Sequence, residues 1–136
     1  MQTKTIKQEV KINAKPSEVY EALMDSGKHS EFTRASASIS KKVNGKISAY
    51  DGYIDGKNIE LVKGKKIVQK WRGSDWPEGH YSVAKFELKN DKGKTRLVFT
   101  QTGVPKEHYK SIADGWKEHY WDKMKKFLKN RKEKKK

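Results

Sequence analysis

The feature that most constrains this chain is a single apolar stripe near its C-terminal end. Within residues 105–128, Tyr109, Ile112, Ala113, Trp116, Tyr120, Met124, Phe127 and Leu128 recur at steps of three and four, along one face of a 3.6-period helix. Such a stretch makes a rod about 36 Å long. Pro105 suits its first turn, where a missing N–H costs nothing, and Lys123, Lys125 and Lys126 lie where the helix dipole favours cations. A stripe this long must be covered, so the segments ahead of it have to supply a sheet. Gly115 sits inside the helix at a cost of about 1 kcal/mol relative to Ala. Close packing of a strand is the expected compensation, the alternative being a kink that opens the mouth of a cavity.

Those earlier segments alternate as strands do. Residues 3–13 place Ile6, Val10 and Ile12 on one side and Lys7, Glu9 and Lys11 opposite. Pro16, Ser17 and Glu18 start a helix with Val19, Ala22 and Leu23 on its buried face, and Asp25, Ser26 and Gly27 end it. Residues 28–33 read as one more helical turn packing through Phe32, and residues 35–40 as a strand of small residues. A meander follows, with strands at 46–50, 53–62, 66–72, 81–89 and 94–102, separated by turns rich in Gly, Asn and Asp. Gly56 suggests a bulge. The pattern is α+β: an antiparallel sheet of six or seven strands, two short helices after the first strand, and a long helix last.

Period-two counting turns Ile59, Leu61, Ile67, Trp71, Ala84, Phe86, Leu88, Leu97 and Phe99 toward that helix. The same alternation points Gln69, Ser82 and Gln101 inward. These polar groups either orient a guest in an apolar hollow, meet water where the strand ends curl to the rim, or bond one another. On the first alternative, Trp71, Phe99, Trp116 and Tyr120 are the walls of a ligand cavity, with Gln69, Ser82 and Gln101 as its orienting groups.

Composition sets limits. A chain of 136 residues fits one domain. Few aliphatics and a net charge of +15 would ordinarily suggest disorder, but four Trp and six Tyr fall in the periodic segments and oppose it. The expected domain is residues 1–128, with 129–136 a basic, disordered tail. The chain stays basic without that tail, so the excess charge either keeps a solvated monomer soluble or attracts something acidic. The absence of cysteine excludes disulfides, thiol catalysis and thiolate zinc sites. No apolar leader segment and no membrane-length apolar run is seen, so a cytoplasmic protein without membrane insertion is expected.

Catalytic motifs are missing: no nucleophile elbow, Walker loop, dinucleotide fingerprint or His-Glu-x-x-His pair is found. His108 and His119 are roughly 16 Å apart along a helix, too far to share a metal through it. Asp51 and Asp55 each precede a Gly, which is turn chemistry. No catalytic residue, metal or cofactor is expected.

The run Asp51-Gly52-Tyr53-Ile54-Asp55-Gly56, then Leu61-Val62, Ile67-Val68-Gln69-Lys70-Trp71-Arg72, Trp76-Pro77-Glu78-Gly79-His80 and Gly115-Trp116 followed by Tyr120 resembles the activator of heat-shock protein 90 ATPase family. The likeness is to that co-chaperone's C-terminal domain and runs over residues 6–127. It implies a helix-grip fold of the START and polyketide-cyclase superfamily, a curved sheet wrapped around the last helix. It also implies a non-enzymatic, protein-binding role, with a heat-shock protein 90-type chaperone or another acidic protein as partner and Trp76, Glu78 and His80 as contact candidates. A carrier of a small apolar molecule or lipid is the alternative. Nucleic-acid binding draws support from the charge, but the aromatics fall mostly on buried faces instead of interleaving with lysines, so nucleic acid is not the expected partner. A cyclase-like enzyme would need an acid/base pair inside the hollow, which the sequence does not locate.

Overall fold

The computed structural model describes residues 2–134. One antiparallel sheet of seven strands carries the fold: β1 (Thr3–Ile12), β2 (Ser38–Ile39), β3 (Lys46–Ala49), β4 (Ile54–Val62), β5 (Lys66–Gly73), β6 (Ser82–Asp91) and β7 (Lys94–Pro105). Their order across the sheet is β1-β7-β6-β5-β4-β3-β2, so the first strand closes onto the last and the meander fans away from them. Helices α1 (Pro16–Met24) and α2 (Ser26–Thr33) follow β1, and a 3-10 turn (Lys106–His108) leads into α3 (Tyr109–Gly115). A π-wound segment (Trp116–Trp121) joins α3 to α4 (Asp122–Lys134). This is the expected helix-grip architecture, with the C-terminal rod on the concave side of the sheet.

The core lies between sheet and rod. Phe86, Phe99, Trp116 and Trp121 form its centre, with the Phe99 and Trp116 ring centroids 4.4 Å apart. Burial of such side chains contributes about 1.5–3 kcal/mol each, and the ring pairs add about 0.5–1.5 kcal/mol.

Four local expectations need correction. Pro105 does not open the helix but ends β7 opposite Thr3, in extended conformation, because its fixed φ suits a strand terminus equally well. The rod does not stop at Leu128: no Gly or Pro intervenes, lysine is a good helix former, and the helix continues to Lys134. The segment expected to lack structure thus enters the helix, while Lys135 and Lys136 lie outside the described residues. The bulge in β4 falls at Ile59, not Gly56, which exposes Ile59 and turns Asn58 inward opposite Gln69. Gly56 is required for another reason: a Cβ there would lie 1.8 Å from the Lys70 carbonyl oxygen. The strand expected over 35–40 shrinks to Ser38–Ile39.

Candidate functional site

All seven candidate cavity residues point inward and are buried. The polar three spend their hydrogen bonds on protein. Trp116 Nε1 donates to Gln101 Oε1 at 2.8 Å, Gln101 Nε2 to Ser82 Oγ at 2.9 Å, and Ser82 Oγ to the Trp71 carbonyl at 2.7 Å. Gln69 Nε2 donates to Asn58 Oδ1 at 3.1 Å. Gln101 and Ser82 thus bond each other, whereas Gln69 bonds Asn58. The space left between Gln69, Trp71, Trp116 and Tyr120 is about 20 Å³, the room of one water.

His29 also borders that space. Leu23 O, 3.1 Å from Nδ1, accepts only, so Nδ1 carries the proton and Nε2 accepts from the Tyr120 hydroxyl at 3.0 Å. Burial holds the imidazole below its ordinary value and Tyr120 above its own. Sequence periodicity gave no sign of this pair, because α2 has almost no amphipathic stripe.

The 76–80 loop is built from within. Trp76 is 3% exposed and packs on Trp71 at 5.3 Å and on the ring of His108 at 6.1 Å, so it is not available to a partner as expected. Its indole N–H faces the Tyr53 hydroxyl without a well-formed hydrogen bond. Arg72 holds the loop's backbone, donating from Nη2 to Trp76 O at 2.6 Å and from Nε to Pro77 O at 3.1 Å. His80 Nε2 meets Gly103 O at 2.7 Å. Of the three expected contact residues only Glu78 is exposed; His80 is half-buried. The Trp-Arg and Trp-Pro-Glu-Gly-His elements are thus two halves of one lock.

Beside the filled core lies an open groove of about 620 Å³, between the β3–β4 turn and the start of the C-terminal rod. Tyr50, Tyr53, Trp71, Trp116 and Tyr120 are its aromatic walls, and Asp114, Glu118 and His119 stand at its edge. The Tyr50 hydroxyl donates across it to His119 O at 2.7 Å. Burial keeps the Tyr50 and Tyr53 hydroxyls protonated well above the ordinary tyrosine range, with Asp75 adding to the effect at Tyr53. Two features here are costly. Tyr50 has φ 50, a left-handed conformation that costs a bulky residue about 1–3 kcal/mol. Gly115 has ordinary helical φ, and a Cβ there would meet nothing nearer than His119 Cδ2 at 3.7 Å, so the expected strand packing against it is absent. Gly115 lies on the lining of the groove.

The outer face of the sheet is basic. Lys57 and Lys70 stand directly opposite each other across β4 and β5, both exposed and with no ion-pair partner among the described residues. The neighbouring cations Lys66, Arg72, Lys85 and Arg96 are each paired with a carboxylate.

Among the described residues no cluster of His, Asp and Glu could hold a metal, and no helix is long and apolar enough to cross a membrane.

The model of the activator of Hsp90 ATPase homolog 1-like protein family matches residues 13–129. The chain is 32% identical over 124 residues to the activator of 90 kDa heat shock protein ATPase homolog of Dictyostelium discoideum, covering 90% of this chain. It is 31% identical over 110 residues to homolog 1 from Homo sapiens, covering 81% of this chain. It spans about a third of the length of these relatives, 32% of each. Among solved structures, an HSP90 activator from Plasmodium falciparum superposes with TM-score 0.85 at 26% identity, covering 91% of this chain and 95% of that one.

Proposed function

The chain belongs to the activator of Hsp90 ATPase homolog 1-like family, and from that premise we propose that it is a co-chaperone-like, non-enzymatic protein-binding module of the cytoplasm. It engages an Hsp90-type chaperone and raises its rate of ATP hydrolysis. The observation that carries this reading is the likeness to the Plasmodium HSP90 activator, which covers 91% of this chain and 95% of the solved one at TM-score 0.85.

The chemistry of the surface supports a macromolecular partner over an enclosed guest. An interior with about 20 Å³ of space does not accommodate a lipid. The unpaired Lys57 and Lys70 on an open sheet face suit the acidic surface of a protein, and steering by that charge would accelerate association.

The test is direct. An Hsp90-type chaperone from the same organism is assayed for ATP turnover with and without this protein, alongside capture of the chaperone on immobilised protein. Stimulated turnover together with capture supports the reading. Neither, at chaperone concentrations up to ~100 µM, removes it, since even a weak transient complex would then be partly formed.

A further inference from the structure

The far end of β4 outruns its neighbour. β3 pairs with β4 only from Lys46↔Lys57 to Ala49↔Ile54, whereas β4 runs on to Val62 with β5 on its other side. Past Lys57 the chain ahead of β3 turns away from the sheet. Asn44 N–H donates to Asn58 O, Asn58 N–H donates to Gly45 O, and the buried Asn58 amide donates to the carbonyls of Ser40 at 2.6 Å and Lys42 at 3.0 Å. These bonds pin the 40–45 turn at Asn58. Beyond it, the backbone of residues 59–62 bonds only to β5 and, through Val62 O, to Lys65 N–H among the described residues. Every second N–H and C=O of an antiparallel strand faces away from a single neighbour, so this stretch is an open ladder edge.

Its side chains are not those of an idle edge. Ile59 and Val62 are each 39% exposed, and with Val43 on the adjoining turn they make three of the five large apolar side chains exposed among the described residues. The bulge that turns Ile59 outward falls just where the β3 ladder ends. Around this corner Lys42, Lys46, Lys57, Lys63 and Lys65 are exposed and have no ion-pair partner among the described residues, while Glu60 is taken up by Lys66 at 3.1 Å. A second copy of the chain is a poor occupant, because it would bring the same lysines face to face at a net charge of +15. An acidic strand meets the opposite situation.

We propose that residues 59–62 of β4 receive an extended segment of a partner protein by strand addition. Its backbone completes the open ladder, its apolar side chains lie against Val43, Ile59 and Val62, and its Asp and Glu residues meet the five lysines. The site does not depend on the chaperone reading, since any extended chain of that pattern fits it.

The test titrates the intact protein with the acetylated, amidated peptide Glu-Val-Asp-Ile-Glu-Val-Asp and follows amide shifts. Controls are its counterpart with lysine at the acidic positions and two N-methylated versions, one methylated on the apolar residues and one on the acidic. Shifts should centre on residues 58–63 and 42–46, with slowed amide exchange in 59–62. The acidic peptide is expected to bind at least about tenfold tighter than the lysine peptide, and at least one N-methylated version about tenfold weaker than its parent. I59S/V62S, which alters only exposed side chains, should still melt cooperatively and bind about fivefold more weakly; K57Q/K63Q should narrow the gap between acidic and lysine peptides. No shifts up to ~2 mM of acidic peptide, shifts centred elsewhere, full affinity in I59S/V62S, or undiminished binding of both N-methylated versions overturns the proposal. Concentration-dependent shifts of residues 59–62 in the protein alone, with a dimer in sedimentation, would make a second copy the occupant and overturn it as well. Chaperone stimulation is measured separately, so either reading can fail alone.

Discussion

His29 is held where a proton would have no acceptor to share it. Nδ1 is already committed to Leu23 O, and Nε2 accepts from Tyr120, so protonation must break a buried hydrogen bond and bury a charge. The folded value therefore lies below the ordinary imidazole value of 6.5, with burial as the main cause. Between those two values the unfolded chain holds the proton and the folded chain does not. Stability rises with pH across that window, is complete above it, and is lost as acid is added. Asp25, whose carboxylate accepts from Lys28 N–H and is lowered, acts in the separate and more acidic carboxylate window. Thermal midpoints should fall between pH 7.5 and 5.5, and H29N should melt lower at pH 7.5 but with a flatter pH slope; an unchanged slope would rule out His29 as the source. Arg72 is the second residue whose role is local. R72K keeps the charge but loses the planar fork that reaches both Trp76 O and Pro77 O, and should cost about 1–2 kcal/mol in denaturant unfolding. Faster amide exchange over residues 74–80 is the accompanying sign. The turn chemistry of the 76–80 loop was legible in its Pro77 and Gly79. It did not reveal that Trp76 faces inward, since an aromatic beside Pro and Gly fits an exposed loop as well; only the contact with Trp71, made in three dimensions, decides it.

At the level of elements, the π-wound segment explains what helical counting missed. The 3.6-period stripe omits Trp121, yet Trp121 is 3% exposed and stacks on Trp116, five residues earlier, at 5.4 Å and 19°. The wider winding is what brings residues five apart into register, as the Asp122 N–H bond to Lys117 O also records. Gln8 of β1 braces this segment from outside: it accepts from Trp121 Nε1 at 2.7 Å and donates to Ala113 O at 3.0 Å. Q8L should leave both groups without that partner and lower stability by about 1–3 kcal/mol, with amides of residues 113–121 losing protection first. A uniform loss of protection across the fold would show that Gln8 merely packs. Gly115, by contrast, has no packing role, so G115A should raise stability by up to about 1 kcal/mol. Strand faces were legible because alternation is a property of the backbone, and so Gln69, Ser82 and Gln101 were placed correctly. The Ile59 bulge and the end of β7 at Pro105 were not, because each depends on a partner strand. Asp114 and Glu118 were not singled out in the sequence, where the carboxylates are scattered; the fold places both on the lining of one groove.

The molecule as a whole carries charge that folding does not need. Like charges directly opposite in an antiparallel sheet are destabilising, and Lys57 and Lys70 occupy such a pair while nearby cations are matched with carboxylates. A surface selected only for stability would place a carboxylate at one of the two positions. K70E does this, and chaperone association then separates the two readings of the pair. The cross-strand pair it creates should raise stability by about 0.2–1 kcal/mol. If the basic face meets an acidic chaperone surface, the same substitution should weaken chaperone association, chiefly in its on-rate, and flatten the dependence of stimulation on salt. K70Q separates loss of the cation from gain of the anion and should fall between native protein and K70E in association. A variant that is more stable and equally active would assign the pair to solubility and move the docking surface elsewhere, most naturally to the exposed lysines of the rod. A variant more stable and less active locates the partner on the sheet, on the side opposite the core that the fold was built to fill.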